Sequence, residues 1–205
     1  SLPCRSCGED LVHVFADLGS SPVANDILNP GEENKEESYP LCVYICENCW
    51  LAQIPEIRRE NEIFTDHYPY FSSFSKSWLK HAHDYVEMII EKFSLNKNQQ
   101  IIELASNDGY LLQYFKEKGF SVLGIEPTKN TAEAAMAKGI PTIIKFFGAD
   151  VAQELKSKGQ TADLLIGNNV LAHVPDLNDF VAGIKIILKP KGVLTMEFPH
   201  LLNLM

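Results

Sequence analysis

Apolar and polar positions in the second half of this chain follow two alternating periods. Short runs of branched apolar residues, bounded by polar or acidic ones, alternate with stretches where apolar residues return every three or four positions. Ile101-Ile102-Glu103-Leu104 predicts a strand, and Ala105-Ser106-Asn107-Asp108-Gly109-Tyr110 the loop after it. Residues 111–118 have helical spacing closed by Gly119, and Ser121-Val122-Leu123-Gly124-Ile125 predicts a second strand ending in Glu126-Pro127. The alternation continues as a helix over 131–138, a strand over 141–145, a helix over 149–158 and a strand over 162–167. Asp176 and Asp179 open a further helix, with Asp176 as its N-cap and Phe180, Val181, Ile184, Ile187 and Leu188 as its core stripe. Lys189-Pro190-Lys191-Gly192 predicts a turn and 193–198 a fifth strand. Five strands with helices between them predict an open, doubly wound parallel α/β sheet. Its last strand is an apolar edge that further chain is expected to cover.

Upstream the pattern changes. Trp78, Ala82, Tyr85, Val86, Ile89, Ile90 and Phe93 recur at helical spacing over 76–93 and predict a helix packed on the sheet. His81 and His83 fall off that stripe and read as solvated. Residues 68–75, rich in aromatics and serines, show no period; they suit a pocket wall or the packing of one domain on another. Earlier still, 39–46 and 51–54 predict two short strands, 20–25 a turn and 29–37 a charged loop. The expected division is a small metal-binding module over 1–60, a linker and helical lid over 61–98, and the α/β domain over 99–205.

The strand ends carry the candidate chemistry. In a βαβ unit the first loop passes close to a bound nucleoside, and an acidic residue ending the second strand accepts hydrogen bonds from ribose hydroxyls. Glu126 stands 23 residues after Glu103, near the spacing this needs. Only Gly109 survives from a glycine-rich pattern, so close approach to a pyrophosphate is hindered and an NAD reading is weakened. S-adenosylmethionine, which has no phosphate, asks less of the loop, and Glu103 is placed to meet a cationic amino group. Polar loop ends of an ordinary α/β sheet are the competing reading. After the strand at 162–167, Asn168, Asn169 and His173 stand where ligands of open sheets bind.

Cys4-Arg5-Ser6-Cys7 and Cys46-Glu47-Asn48-Cys49 are two C-x2-C pairs. Each spacing turns two thiolates toward one ion, and four make a closed, tetrahedral zinc site of the structural kind. Two disulfides are the alternative, which a cytoplasmic setting disfavours. Cys42 reads as a strand cysteine outside the set.

Among 205 residues, 45% are hydrophobic, enough for a real core, and the formal net charge is −9. With no block of Lys or Arg, nucleic acid is not an expected partner. No apolar run reaches membrane-spanning length, so no membrane partner and a cytoplasmic location are expected. The start at Ser1 and the stop at Leu204-Met205, directly after a strand, suggest a cut at both ends.

Taken in order, C-R-S-C-G, Y-F-S-S-F-S, I-E-L-A-S-N-D-G-Y-L-L, G-I-E-P-T, N-N-V-L-A-H-V-P-D-L and L-K-P-K-G-V-L-T-M-E-F-P-H-L resemble one family over essentially the whole chain. It is the zinc-containing, S-adenosylmethionine-dependent sugar C-methyltransferases, which act on nucleotide-linked keto-deoxysugars. The resemblance implies a Rossmann-like class I methyltransferase sheet behind a zinc-binding β module. It implies structural zinc on Cys4, Cys7, Cys46 and Cys49. Glu103, Ala105, Ser106, Asn107 and Gly109 would line the methionine end of S-adenosylmethionine, or of S-adenosylhomocysteine as product. Glu126 and Pro127 would sit at the ribose, Phe147 and Gly148 at the adenine, and Asn168 and Asn169 would close the pocket. Tyr70 and His173 would face the sugar as catalytic residues. The chemistry implied is removal of a proton beside a ketone and attack of the enolate carbon on the sulfonium methyl. Members continue through a Y-x-E-H-F segment and a further domain that this sequence does not contain, so the general base is expected beyond residue 205. Methylation of another small molecule at oxygen or nitrogen, and a cofactor-binding module without chemistry, are the alternatives.

Overall fold

The computed structural model describes residues 2–25, 27–56 and 58–200, with the side chains of Glu33 and Glu60 left aside. The predicted stop at Leu204-Met205 lies outside these residues. Two compact units are present. One holds the described residues up to Phe64 together with Pro175–Asn178; the other holds Thr65–Val174 and the chain from Asp179 onward.

The first unit contains an antiparallel sheet of β1 (His13–Pro22), β2 (Ser38–Ile45) and β3 (Ala52–Gln53), in that order. A short helix, α1 (Glu60–Ile63), follows. β1 is a strand the hydrophobic pattern does not predict, and it includes Ser20, Ser21 and Pro22, which were expected in a turn. Nearly every one of its positions is exposed, so no buried face imposes alternation on the sequence. The pairing with β2 slips between Val14 and Ala16 and again between Asp17 and Ser20, which erases what period remained. Among the described residues the unit's buried hydrophobic cluster is small: Cys4, Leu11 and Cys46.

In the second unit, α2 (Lys76–Lys92) starts at Ser75, whose hydroxyl accepts from the Trp78 N–H. The predicted stripe is real, for Ala82, Val86 and Ile89 join Ile101, Leu111, Leu112 and Phe115 in one core cluster. Alternation then proceeds through β4 (Gln100–Leu104), α3 (Leu112–Glu117), β5 (Ser121–Ile125), α4 (Lys129–Ala137), β6 (Thr142–Ile143), α5 (Ala149–Ser157), β7 (Ala162–Asn168), α6 (Leu177–Ile187) and β8 (Leu188–Glu197). The sheet is parallel in the order β6-β5-β4-β7-β8, which places the topological switch between β4 and β7. A second cluster, including Ile102, Leu104, Ile125, Leu165, Phe180 and Ile187, packs the opposite face. Central strands covered on both faces read as nearly continuous apolar runs, which is why the sequence shows them plainly.

The fifth strand differs from expectation. It begins at Leu188 with no separate turn, and the pairing moves from Ala162↔Leu188 to Leu164↔Val193. Residues 189–192 form a wide bulge within the strand. A Cβ on Gly192 would stand 2.8 Å from the Ala162 carbonyl oxygen, so the bulge closes against β7 through that glycine.

Candidate cofactor site and metal centre

The loop after β4 turns three times through the left-handed region, with φ of 54° at Ala105, 49° at Asn107 and 75° at Gly109. Asparagine tolerates that region better than most residues, and glycine pays no Cβ penalty there. At Gly109 space decides as well, since a Cβ would fall 2.4 Å from Ile140 Cδ1. The Ser106 hydroxyl is buried without a partner and lies against Gly124, where a Cβ would come within 2.4 Å of it.

Glu103, next to last in β4, is almost fully buried, with Oε2 unpartnered. Desolvation, then the nearby Glu126 and Asp108 carboxylates, push its pKa well above the usual range; the Tyr110 hydroxyl only partly offsets this. Glu126, at the end of β5, is also buried, and its pKa is raised by desolvation against several hydrogen bonds. Its Oε2 accepts from the Asn107 N–H at 2.8 Å, and its Oε1 accepts from the N–H and hydroxyl of Thr128 at 2.9 and 2.6 Å. Glu126 therefore ties the two strand-end loops together as it faces the site. Pro127 beside it is half-buried.

Asn107 spends its amide on the aromatic segment. Oδ1 accepts from the Ser72 N–H at 2.9 Å, and Nδ2 donates to the Tyr70 carbonyl at 3.1 Å. Asp108 accepts from the Ser73 hydroxyl and pairs with Lys138 at 3.2 Å, while its Oδ1 is buried without a partner. Tyr70 itself is 48% exposed.

Beyond β6, Phe147 meets Phe180 edge to face at 5.4 Å, and Gly148 precedes α5. Asp179, in the first turn of α6, accepts from the Ala149 N–H at 3.2 Å, and a Cβ on Gly148 would reach 2.1 Å from its Oδ2. At the end of β7, Asn168 is buried and Asn169 is exposed in a left-handed conformation, its N–H donating to the Glu197 carbonyl at 2.6 Å. His173 ends a 3-10 turn over Leu171–His173; partial desolvation of its ring lowers its pKa below the ordinary value.

Tyr110, Thr128, His81 and Glu197 join this end of the sheet without having been singled out for it. His81 is half exposed, but its Nε2 lies 2.7 Å from Glu197 Oε2. The partners are 116 residues apart, so no local pattern signals the pair. Thr128 stands two residues after Glu126, and a hydroxyl beside a strand-end carboxylate was the available clue.

In the other unit, Cys4, Cys7, Cys46 and Cys49 bring their Sγ atoms within 4.8 Å of one another. Cys4 to Cys49 is 3.6 Å and Cys7 to Cys46 is 3.5 Å. Thiolates 2.3 Å from one zinc stand about 3.8 Å apart in a regular tetrahedron, so the set fits zinc and leaves no open position. The knuckles match: the Gly8 N–H donates to the Cys4 carbonyl at 2.9 Å and the Trp50 N–H to the Cys46 carbonyl at 3.0 Å. Desolvation opposes ionisation of Cys4, but N–H donors of Cys7 and Ser6 and the Gln53 amide, with Cys49, hold its thiol down at about 6. Cys42 lies in β2, outside the cluster.

Residues 4–64 match a family named for a zinc binding domain, and residues 78–202 match a family described as a methyltransferase domain. Over 203 residues the chain is 31% identical to the C-methyltransferase NovU of Streptomyces niveus, covering 98% of this chain and 48% of that protein. Over 99 residues it is 25% identical to a ubiquinone biosynthesis O-methyltransferase of Bartonella quintana (strain Toulouse), covering 48% of this chain and 40% of that protein. The chain thus spans about half the length of the curated relatives it matches. Among solved structures, the PH0226 protein from Pyrococcus horikoshii OT3 is similar at a TM-score of 0.54 and 18% identity, over 73% of this chain and 65% of that one, a likeness of fold.

Proposed function

The chain belongs to the methyltransferase domain family, and from that premise we propose that it is the S-adenosylmethionine-binding part of an enzyme that methylates a carbon of a nucleotide-linked keto-deoxysugar. The observation that carries the carbon reading is the extent of similarity to NovU, a C-methyltransferase, which runs through the zinc module and the sheet alike. The O-methyltransferase similarity covers only 48% of the chain, so methylation at oxygen is the second reading. The cofactor reading is supported by the buried Glu103 carboxylate, whose unpartnered oxygen sits at the start of the left-handed loop and suits a cationic amino group.

In this reading, S-adenosylmethionine supplies an electrophilic sulfonium methyl. Glu103, Ala105, Ser106, Asn107 and Gly109 bound its methionine end, Glu126 and Pro127 its ribose, and Phe147 and Gly148 its adenine. Asn168 and Asn169 close the pocket. Tyr70 and His173 face the sugar. A lowered pKa keeps the His173 imidazole neutral near neutral pH, the form that can accept a hydrogen bond from a sugar hydroxyl. Loss of the proton beside the ketone leaves an enolate whose carbon takes the methyl, and holding both reactants in line supplies much of the rate. The four-thiolate zinc centre has no open position and acts on structure alone.

Calorimetric titration with S-adenosylhomocysteine and with NAD, followed by mass analysis of nucleotide-linked keto-deoxysugars incubated with S-adenosylmethionine, tests the proposal. Expected are binding of the first ligand only and one added methyl on carbon. Glu126→Ala loses binding, whereas His173→Ala keeps binding and loses roughly a hundredfold or more in turnover. Wild-type affinity in Glu126→Ala would displace the pocket, and a methyl found on oxygen would favour the second reading.

A further inference from the structure

The aromatic segment that carries Tyr70 has no period of its own, yet it is held at defined points. Ser72 is buried at 6% exposure within a 3-10 turn over Ser72–Phe74. The backbone groups before that turn need partners, because a buried N–H or C=O left unpaired is costly. One side chain meets both: Asn107 accepts from the Ser72 N–H and donates to the Tyr70 carbonyl, 35 and 37 residues away. Next to it, the Ser73 hydroxyl donates to Asp108, which Lys138 holds through both its side chain and its backbone carbonyl. Asn107 reaches the segment because its own φ is 49° and its N–H is held by Glu126 at 2.8 Å.

Only a side chain with a donor and an acceptor on one plane makes this pair of bonds. An ionised Asp accepts from Ser72 but repels the Tyr70 carbonyl, and Ser is too short to reach both. The residue is 9% exposed, so both ends of the amide are spent inside the protein. We propose that Asn107 is a positioning residue: its side chain serves the sugar-facing Tyr70 by locking residues 70–72 to the strand-end loop, so that order in the loop and the placement of Tyr70 are coupled. This rests on the proposed placement of cofactor and sugar. It assigns the Asn107 amide to the protein's own backbone, leaving only the residue's main chain to line the cofactor.

Asn107→Gly provides the test, because glycine keeps the left-handed φ and removes only the amide. Hydrogen exchange of the peptide spanning 68–76 is measured with and without saturating S-adenosylhomocysteine, alongside its affinity by calorimetry. In wild type the ligand slows exchange of this peptide. In Asn107→Gly affinity stays within about threefold of wild type, exchange rises about tenfold or more as the Ser72 N–H loses its acceptor, and the ligand no longer slows it. In the turnover assay kcat falls more than KM changes, and Asn107→Gly combined with Tyr70→Phe is markedly less than additive. Loss of ligand affinity with unchanged exchange at 68–76 would make Asn107 a cofactor ligand and overturn the proposal. So would additive effects of the two substitutions. Failure of the wild type to bind S-adenosylhomocysteine would instead overturn the functional reading, while the rise in exchange without ligand would still report on the clamp.

Discussion

Glu103 shows how a single residue sets stability against binding. Its backbone pairs with Gly124 of β5 and Ile166 of β7, and Glu126, Asp108 and Tyr110 act on its carboxyl. Burial raises its pKa in the folded state, so at pH values between the usual glutamate pKa and that raised value the native protein holds a proton the unfolded chain has lost. Stability from this group is therefore complete below the usual value and falls as pH rises through the window. Glu103→Gln removes the titration. Denaturant unfolding from about pH 5 to about pH 8 is expected to show wild type losing stability relative to the variant as pH rises. The same variant is expected to bind S-adenosylhomocysteine more weakly. Equal pH slopes would mean that Glu103 is already ionised in the fold. The position of Glu103 at a strand end was legible in the sequence, but its crowding was not, because Glu126 and Asp108 converge on it only once β4 and β5 pair.

Among the elements, the two zinc knuckles repeat one turn with different residues. Gly8 follows the first C-x2-C pair at φ 81°, and Trp50 follows the second at φ 63°. The left-handed region costs a residue with a Cβ about 1–2 kcal/mol, and Trp50, at 76% exposure, gains little packing in return. Trp50→Gly is expected to raise stability of the zinc-loaded module by about 1 kcal/mol, measured by denaturant unfolding of the metal-replete protein. A loss instead would show that the indole makes contacts worth more than the strain. Element type was legible wherever burial imposed a period: α2 shows its stripe, and β4, β5 and β7 show continuous apolar runs. β1 was not, because its exposed face carries no signal, and the bulge of β8 was read as a turn because Pro190 and Gly192 suit both.

For the whole molecule, the two units hold themselves together by different means. The sheet unit has two extensive clusters of buried side chains, one on each face. Among the described residues, the buried hydrophobic cluster of the first unit is Cys4, Leu11 and Cys46, two of them cysteines of the metal set, so metal–thiolate bonds substitute for a larger core. Chelation of zinc is therefore expected to abolish hydrogen-exchange protection over β1, β2 and β3 while β4, β5 and β7 keep theirs, with one zinc released per chain. Retained protection in β1 and β2 after metal removal would count against a structural role for zinc. Among the described residues no helix is long and apolar enough to cross a membrane.

The sequence by itself determined the α/β alternation, the four cysteines and the acidic strand ends, because each follows from local spacing: a period of burial, a C-x2-C turn, a polar residue closing an apolar run. Only the tertiary structure decided what those residues touch. Pairing β4 with β5 sets Glu126 against the Asn107 N–H, and the loop that results carries the Asn107 amide to Tyr70 and Ser72. Packing α2 on the sheet brings His81 to Glu197 across 116 residues. Such partners are chosen by the folding of distant segments onto one another, and no spacing along the chain encodes that choice.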